Sequence, residues 1–342
     1  MMFNWIKSYL TNRSQFTAVN NTQSSHSLLH YGVPQGSVLG PLLFLLYIND
    51  IGFIPNLPYK PKLFADDTNV FVHSKSISEL QAQCQLTVDI ISSWVTANRL
   101  TINIEKTCFI IFPPSTQNID QYSFTITLNS VPLKRVSSTK FLGLIIDEKI
   151  EWVAHLNDLC IHLRKFIGIF YKLSQFIPVK ILKLLYFALI HSKLLYGILL
   201  YANTYNSYLH DLIVLNNRLV GIIQKKNRFT PTDNLYKAFN TLPIDLLFKL
   251  HIYTHAHCLF YKSPSLPPVL HSNTILNLHI HEHNTRYRAD FHRTATSSAS
   301  CSKISTHLCS SSWNSLPIEL KNVTSLNQFK TSIKELLWCE RA

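Results

Sequence analysis

The chain has 342 residues, 46% of them hydrophobic, so it is long enough for two or three compact units and too apolar to be disordered throughout. Residues 1–150 contain 11 basic and 9 acidic residues, whereas residues 151–342 contain 21 basic and 10 acidic residues, a net charge of +11. A basic region of this kind is typical of proteins that bind a polyphosphate backbone, although a generic basic surface gives the same count.

Cysteine usage and the apolar runs argue against secreted and membrane proteins. The seven Cys include no C-x-x-C pair, which favours reduced thiols in an intracellular protein, either nuclear or cytoplasmic. The N-terminus shows no basic start followed by an apolar run, so no secretory signal is predicted. Residues 181–205 form the most apolar stretch, but Lys183, His191 and Lys193 interrupt it, and we expect no membrane span.

Helical and strand-like patterns are mixed in the first part of the chain. A loop punctuated by Gly and Pro leads into Leu42–Ile48, which is apolar on all sides and predicts a buried helix. Residues 63–65 and 70–72 then predict the two strands of a hairpin, with Asp66 and Asp67 near its turn. We expect burial of its apolar residues to make this hairpin rigid, and these residues are Leu63, Phe64, Val70 and Phe71.

An amphipathic helix is predicted next, over Ser76–Arg99, and Ser76 with Glu79 has the spacing of a capping box. Strand-like spacing follows over residues 100–147, including Leu100–Ile104, with a break predicted at Asn129-Ser130. From Trp152 to about Lys226 the spacing is helical throughout, which indicates a small bundle. Leu156, Leu159 and Leu163 belong to the apolar stripe of its first helix, and Asn216 is a polar interruption of its third. Helical pieces continue beyond residue 231, with a looser Ser- and His-rich stretch at 271–312 that we expect to be partly disordered.

Two strings carry the most specific signal. The first runs from Gly32 to Phe44 and reads GVPQGSVLGPLLF, and the second is Phe64-Ala65-Asp66-Asp67. In this order and spacing they resemble motifs B and C of the reverse transcriptases of non-LTR retrotransposons, of the jockey-like and related groups. Either string alone has an ordinary explanation, as a packing loop or as an Asp-rich turn.

The resemblance implies an α+β fold with an incomplete right-hand polymerase palm over residues 1–148. It further implies an α-helical thumb over 149–230, which Trp152 and His155 would open, and a C-terminal extension over 231–342. Weaker matches to the segment that follows the polymerase in such elements are Thr285-Arg286, Trp313–Pro317 and Phe329-Lys330.

The resemblance also implies RNA-directed DNA polymerase activity, with an RNA template, a DNA primer and dNTPs as partners. Nucleotidyl transfer of this kind uses two divalent ions, Mg²⁺ or Mn²⁺, about 3.5–4 Å apart, and hard ions bind carboxylate oxygens. By resemblance Asp66 is the catalytic metal ligand and Asp67 its acidic neighbour. The motif B residues that would contact the nucleotide and the template are Pro34, Gln35, Gly36 and Ser37.

Two further segments extend the resemblance. Residues 100–107 are similar to motif D, where Lys106 would meet the triphosphate as a point charge, although a surface Lys at a strand edge explains it equally well. Phe141-Leu142-Gly143 is similar to motif E, the primer grip. This match supports the resemblance through its position in the order of motifs, because Phe-Leu-Gly in a strand is otherwise ordinary core sequence.

A further Asp of the family, in motif A, lies upstream of motif B, and residues 5–15 resemble the segment that follows it. We therefore expect residues 1–342 alone to hold an incomplete two-ion site and to be impaired as a polymerase. The alternatives are a non-catalytic nucleic-acid-binding remnant and the product of a decayed gene.

Overall fold

The computed structural model describes residues 2–34, 36–113, 124–227, 229–263, 266–267, 270, 275–280, 288–293 and 305–341. They belong to two compact units, Met1–Val136 and Ser137–Ala342. The first unit mixes short strands with helices, and the second is helical after one hairpin, which agrees with the predicted α+β character. The division at 148 and 230 stays a prediction, and the stretch predicted to be partly disordered lies largely outside the described residues.

Helices of the first unit are α1 (Met2–Leu10), α2 (Leu39–Ile48), a 3₁₀ helix (Asn49–Phe53) and α3 (Ile77–Ala97). Its strands are β1 (Arg13–Gln15), β2 (Ala18–Val19), β3 (Thr22–Gln23), β4 (Ser27–Leu29), β5 (Lys62–Phe64), β6 (Asp67–Asn69), β7 (Cys108–Phe109), β8 (Thr127–Leu128), β9 (Val131–Pro132) and β10 (Lys134–Arg135). The described strands pair only in twos: β1 with β4, β2 with β3, β5 with β6 and β8 with β9 antiparallel, and β7 with β10 parallel.

Two of these hairpins close through tight two-residue turns. Asn20 and Asn21 join β2 to β3 with φ of 47° and 65°, and Asn129 and Ser130 join β8 to β9 with φ of 51° and 65°. Positive φ at both central residues matches the twist of a hairpin, and Asn tolerates it better than most residues do. The break predicted at Asn129-Ser130 is thereby confirmed.

A small core holds the second half of this unit together. Ile126, Leu128 and Leu133 are buried against Cys84 and Val88 of α3. Beside them, the Gln85 amide bonds the backbone of Thr127 twice, donating to its carbonyl at 2.9 Å and accepting from its N–H at 2.8 Å. The predicted helix start is confirmed, since the Ser76 hydroxyl accepts the N–H of Glu79 at 3.3 Å.

The predicted burial of α2 is wrong. Only Gly40 and Ile48 are buried in this helix, and Leu46 is 65% exposed. The main contacts of α2 are with the 3₁₀ helix that follows it and, through the Tyr47 hydroxyl, with the carbonyl of Asn98 at 2.5 Å. An apolar helix is buried only where a second layer covers it, and the first unit provides no such layer for α2 among its described residues.

The second unit begins with an antiparallel hairpin, β11 (Ser138–Phe141) and β12 (Leu144–Asp147). Its helices are α4 (Val153–Phe176), α5 (Val179–Tyr186), a π turn (Phe187–His191), α6 (Ser192–Leu195), α7 (Ile198–Tyr201), α8 (Asn206–Ile223), α9 (Thr232–Phe239), α10 (Ile244–Phe260), a 3₁₀ turn (Asn277–His279), α11 (Ser305–Asn314), α12 (Ile318–Lys321) and α13 (Leu326–Cys339). The helical pattern predicted from Trp152 to about Lys226 is confirmed. No helix in the described part of the chain has both the length and the apolar character needed to cross a bilayer.

One continuous core joins these helices. The predicted stripe of α4 is buried at Leu156, Leu159 and Leu163, where α4 packs against α8. The predicted polar interruption of α8, Asn216, is fully buried, and its amide accepts the hydroxyl of Tyr186 at 3.0 Å and donates to that of Tyr236 at 2.8 Å. A buried amide satisfied on both sides fixes how these helices meet.

Acid is expected to destabilise the second unit. Burial, with smaller contributions from His251 and Lys334, lowers the pKa of His191 to about 4, and burial also lowers the pKa of His155, His255 and His257. Unfolded His titrates near pH 6.5, so between pH 6.5 and 4 the unfolded state binds more protons. Lowering the pH through this window should therefore lower the free energy of unfolding, by up to about 1.4 kcal/mol per pH unit for each such proton.

Urea unfolding followed by tryptophan fluorescence at pH 7 and at pH 4.5 measures this dependence. His191→Gln should weaken the pH dependence, whereas His210→Gln, at an exposed position on α8, should leave it unchanged. Equal pH dependence in both variants would contradict the role given to His191.

Candidate active site

The first part of the Gly32–Phe44 string forms a loop that leads into α2 and is closed by Ser37. The Ser37 hydroxyl donates to the carbonyl of Pro34 at 2.8 Å and accepts the N–H of Gly40 at 3.0 Å. Free N–H groups at a helix start need acceptors, and Ser37 supplies one to the first turn of α2. The loop is therefore tied to the helix that follows it.

Arg13 holds the other end of this loop. Its guanidinium donates to the carbonyls of Gly32 at 2.5 Å and Tyr31 at 3.3 Å, and its Nε donates to that of Leu10 at 3.1 Å. The sequence pattern gave Arg13 no role, because its partners are backbone carbonyls up to 19 positions away.

Gly36 lies at the exposed tip of the loop, with φ of +77° and no atom within 4 Å of where a Cβ would stand. Glycine is needed here for its backbone conformation, and the open space leaves the loop accessible to a ligand. Pro34 is partly buried, and Gln35 lies outside the described residues.

The Asp66-Asp67 pair lies at the end of the β5–β6 hairpin. Phe64 pairs with Asp67 across the two strands, and Ala65 and Asp66 form the turn, in which Ala65 has a φ of 50°. The strands are displaced by one to three residues from the predicted ones, but the predicted position of the pair near the turn is confirmed. Both carboxylates are exposed, and no side-chain hydrogen bond or ion pair engages them in the described part of the chain.

The apolar residues of this hairpin are not buried as predicted. Phe64 is 62% and Phe71 56% exposed, and Leu63 and Val70 are partly buried. The reason is the topology, since β5 and β6 pair only with each other in the described part of the chain and no further strand flanks them there. The burial expected to make this hairpin rigid is therefore absent among the described residues of this unit.

The chemistry of the two carboxylates fits a hard divalent cation. Mg²⁺ is commonly bound by one or two carboxylates, with water and substrate phosphates completing its octahedral shell. Asp66 and Asp67 offer such oxygens at an exposed turn. The described residues include no group of three or more His, Cys, Asp or Glu side chains that could hold a metal ion.

Lys106 is exposed in a turn, whereas strand spacing was predicted for the preceding residues. The turn is closed by Asn103, whose side-chain oxygen accepts the N–H of Lys106 at 3.1 Å and whose carbonyl accepts the N–H of Thr107 at 3.0 Å. Asn bonds nearby backbone in this way readily, and this local preference overrides the alternation of Ile102 and Ile104.

Phe141-Leu142-Gly143 ends β11 and forms its turn into β12, in the second unit. The Tyr196 hydroxyl donates to the carbonyl of Leu142, and a Cβ on Gly143 would stand 3.3 Å from the Tyr196 ring. The next residue, Gly197, has a φ of +72°, and a Cβ there would stand 2.7 Å from the Leu144 side chain. Tyr196 and Gly197 thus clamp the turn of this hairpin.

Replacing Gly197 by Ala is expected to destabilise the chain by about 2–5 kcal/mol. A positive φ costs a residue with a Cβ about 1–3 kcal/mol, and overpacking against buried Leu144 costs a similar amount. Gly168→Ala is the matched control, because Gly168 lies within α4 with open space around it and Ala there should stabilise by about 0.5–1 kcal/mol. Chemical denaturation measures both, and a loss under 1 kcal/mol for Gly197→Ala would contradict the clamp.

The same hairpin is joined to α4 by Asp147. Its carboxylate accepts the backbone N–H groups of Trp152 at 2.6 Å, Glu151 at 3.0 Å and Lys149 at 3.2 Å. His155, on the first turn of α4, is buried with its Nδ1 3.5 Å from the N–H of Ile145. Both residues predicted to open the helical section therefore lie at the junction of hairpin and helix.

The first part of the chain is similar to known proteins. Residues 1–146 match a family model described as reverse transcriptase (RNA-dependent DNA polymerase). The chain is similar to the probable RNA-directed DNA polymerase from transposon BS of Drosophila melanogaster, with 31% identity over 162 residues. It is also similar to the RNA-directed DNA polymerase from mobile element jockey of the same fly, with 29% identity over 160 residues.

These alignments cover 44% and 45% of this chain, but only 17% of each relative, so the chain spans less than a fifth of the length of the curated relatives it matches. No solved structure matches the chain significantly.

Proposed function

Since residues 1–146 match the reverse transcriptase family model, we propose that this chain is part of an RNA-directed DNA polymerase of a non-LTR retrotransposon of the jockey-like or a related group. The observation that carries the proposal is the family match itself, which contains both the Gly32–Phe44 loop and the Asp66-Asp67 hairpin. The reaction joins the 3′ hydroxyl of a DNA primer to the α-phosphorus of a dNTP and releases pyrophosphate, with RNA as template.

The roles proposed for individual residues rest on the resemblance to motifs B and C. Asp66 and Asp67 would hold Mg²⁺ or Mn²⁺, which when bound stabilises the negative charge that develops on the phosphoryl oxygens. The accessible loop tip at Gly36, with Pro34 and Gln35, would meet the nucleotide and its template partner. The Ser37 hydroxyl already makes two hydrogen bonds within the loop, so we assign it the role of holding that tip in place.

Two further segments would contact the other substrates. Lys106, exposed at a turn, would pair with the triphosphate or the leaving pyrophosphate. Phe141, Leu142 and Gly143 would form the primer grip, held by Tyr196. In the proposed arrangement residues 1–148 are palm, 149–230 thumb and 231–342 an extension.

Nucleic-acid binding without catalysis is the second candidate, favoured by the net charge of +11 over residues 151–342. Cations placed near phosphates release counterions, so binding of this kind weakens steeply with salt.

Polymerase activity is tested by primer extension on an RNA template, with dNTPs and Mg²⁺. The protein used is the one expressed from its own gene. Salt-dependent binding of primer–template with no incorporation would favour the second candidate, and the impairment expected of residues 1–342 by themselves stays a prediction.

A further inference from the structure

A cavity of about 220 Å³ lies within the second unit, outside the residues that match the reverse transcriptase family. Four elements form its wall: the π turn Phe187–His191, the connection from α9 to α10 at Asn240 and Thr241, one face of α10, and α13. The volume exceeds that of a few water molecules and falls below that of a typical drug-sized pocket, so it suits a small polar group.

Four basic side chains line this cavity: His191, His251, Lys330 and Lys334. Their placement follows from helical spacing. Lys330 and Lys334 are four positions apart on α13 and share one face, and His251 lies on the face of α10 that carries Leu247 and Thr254, which also line the cavity.

Among the described residues that line the cavity, no acidic side chain balances its basic groups. In the described part of the chain neither Lys330 nor Lys334 forms an ion pair, whereas the nearby Lys249 lies 4.0 Å from the Glu340 carboxylate. The basic groups instead face one another. His251 and Lys334 add to burial in lowering the pKa of His191, and Lys330 adds to burial in lowering that of His251.

Two features of His191 also indicate a binding site in this cavity. It ends the π turn, a rare conformation that occurs frequently at functional sites. Its Nδ1 is buried and has no hydrogen-bond partner in the described residues, and buried polar atoms of this kind are uncommon. The ring centroids of Tyr186 and Phe187 lie 5.8 Å and 4.9 Å from that of the imidazole, and both rings hold it in position.

We propose that this cavity binds a phosphate-like dianion between the two lysines of α13 and the two histidines. Lys ammonium groups act as compact point charges for such a ligand, and the imidazoles supply N–H donors. A bound dianion would also favour the protonated imidazoles, so binding should take up protons and tighten as the pH falls from 7.5 to 5.5. The proposal does not depend on polymerase activity, because it uses no residue assigned to that reaction.

Titration calorimetry of the 342-residue protein with sodium sulfate, at ionic strength held constant with chloride, tests the site. Sulfate stays a dianion over this pH range. A lower dissociation constant at pH 5.5 therefore reports protonation of the protein and not of the ligand. Lys334→Gln should weaken sulfate binding about tenfold, the effect of losing one charge-assisted hydrogen bond. Lys172→Gln, the same charge change at an exposed position on α4, should leave the affinity unchanged.

The source of the phosphate is distinguished by a second titration, with a short single-stranded oligonucleotide. If Lys334→Gln weakens the binding of both the oligonucleotide and sulfate, the site binds a phosphate of a nucleic-acid backbone. If only sulfate is affected, the site takes a free phosphorylated ligand. Sulfate binding no stronger than chloride binding, or equal losses in Lys334→Gln and Lys172→Gln, would overturn the proposal, with circular dichroism confirming that each variant is folded.

Discussion

Asp66→Asn is expected to lower the rate of primer extension about 100-fold or more in the protein as expressed from its own gene. The amide keeps the size of the side chain but removes the negative charge that a hard cation requires. Stabilisation of transition-state charge by a bound ion amounts to several kcal/mol, and about 1.4 kcal/mol corresponds to a factor of ten in rate. Single-turnover incorporation of one dNTP on an RNA template measures the chemical step.

Asp50→Asn is the control, because Asp50 is an exposed Asp of the same unit, in the 3₁₀ helix after α2, and loses the same charge. It should extend primers at the unmodified rate. Since the Asp66 side chain is exposed and makes no hydrogen bond in the described part of the chain, its replacement should leave the free energy of unfolding within about 0.5 kcal/mol. An Asp66→Asn protein that is folded and extends primers normally would remove Asp66 from the proposed active site.

Local signals predicted the elements of this chain well. The helical spacing of Leu156, Leu159 and Leu163 gave α4 and its buried face, and Ser76 with Glu79 gave the start of α3. Both depend on residues three or four positions apart, and such neighbours interact whatever surrounds the helix. The Asp66-Asp67 turn was found for a similar reason, since the flanking strands are short and contiguous.

Burial and the support of the site could not be predicted in this way. Whether α2 and Phe64 are covered depends on a second layer, and their own composition contains no information about that layer. Arg13 reaches carbonyls up to 19 positions away, and Tyr196 reaches Leu142 across 54. Side chains that bond distant backbone show no periodicity, so only the structure reveals them as supports of the loop and the hairpin turn.

An aromatic cluster lies in the second unit, and truncating its central residue is expected to have a large effect on the free energy of unfolding. Trp313, on α11, is fully buried, and its ring stacks on Phe260 with centroids 4.6 Å apart. Phe329 of α13 lies 6.0 Å from the same ring, and His257 of α10, whose Nε2 is 2.8 Å from the Val323 carbonyl, lies 6.1 Å away. His257 thus packs within this cluster, and Trp313 is the residue that joins α10, α11 and α13.

Trp313→Ala is therefore expected to lower the free energy of unfolding by about 3–5 kcal/mol, the range for truncating a buried Trp. Its Nε1–H has no hydrogen-bond partner in the described residues, so the loss comes from packing alone. Trp338→Ala is the matched control, because Trp338 is only partly buried on α13, with the Lys237 ammonium 5.2 Å from its ring, and should cost less than half as much. Urea denaturation followed by far-ultraviolet circular dichroism measures both variants. Equal losses in the two variants would contradict the central place given to Trp313 in this core.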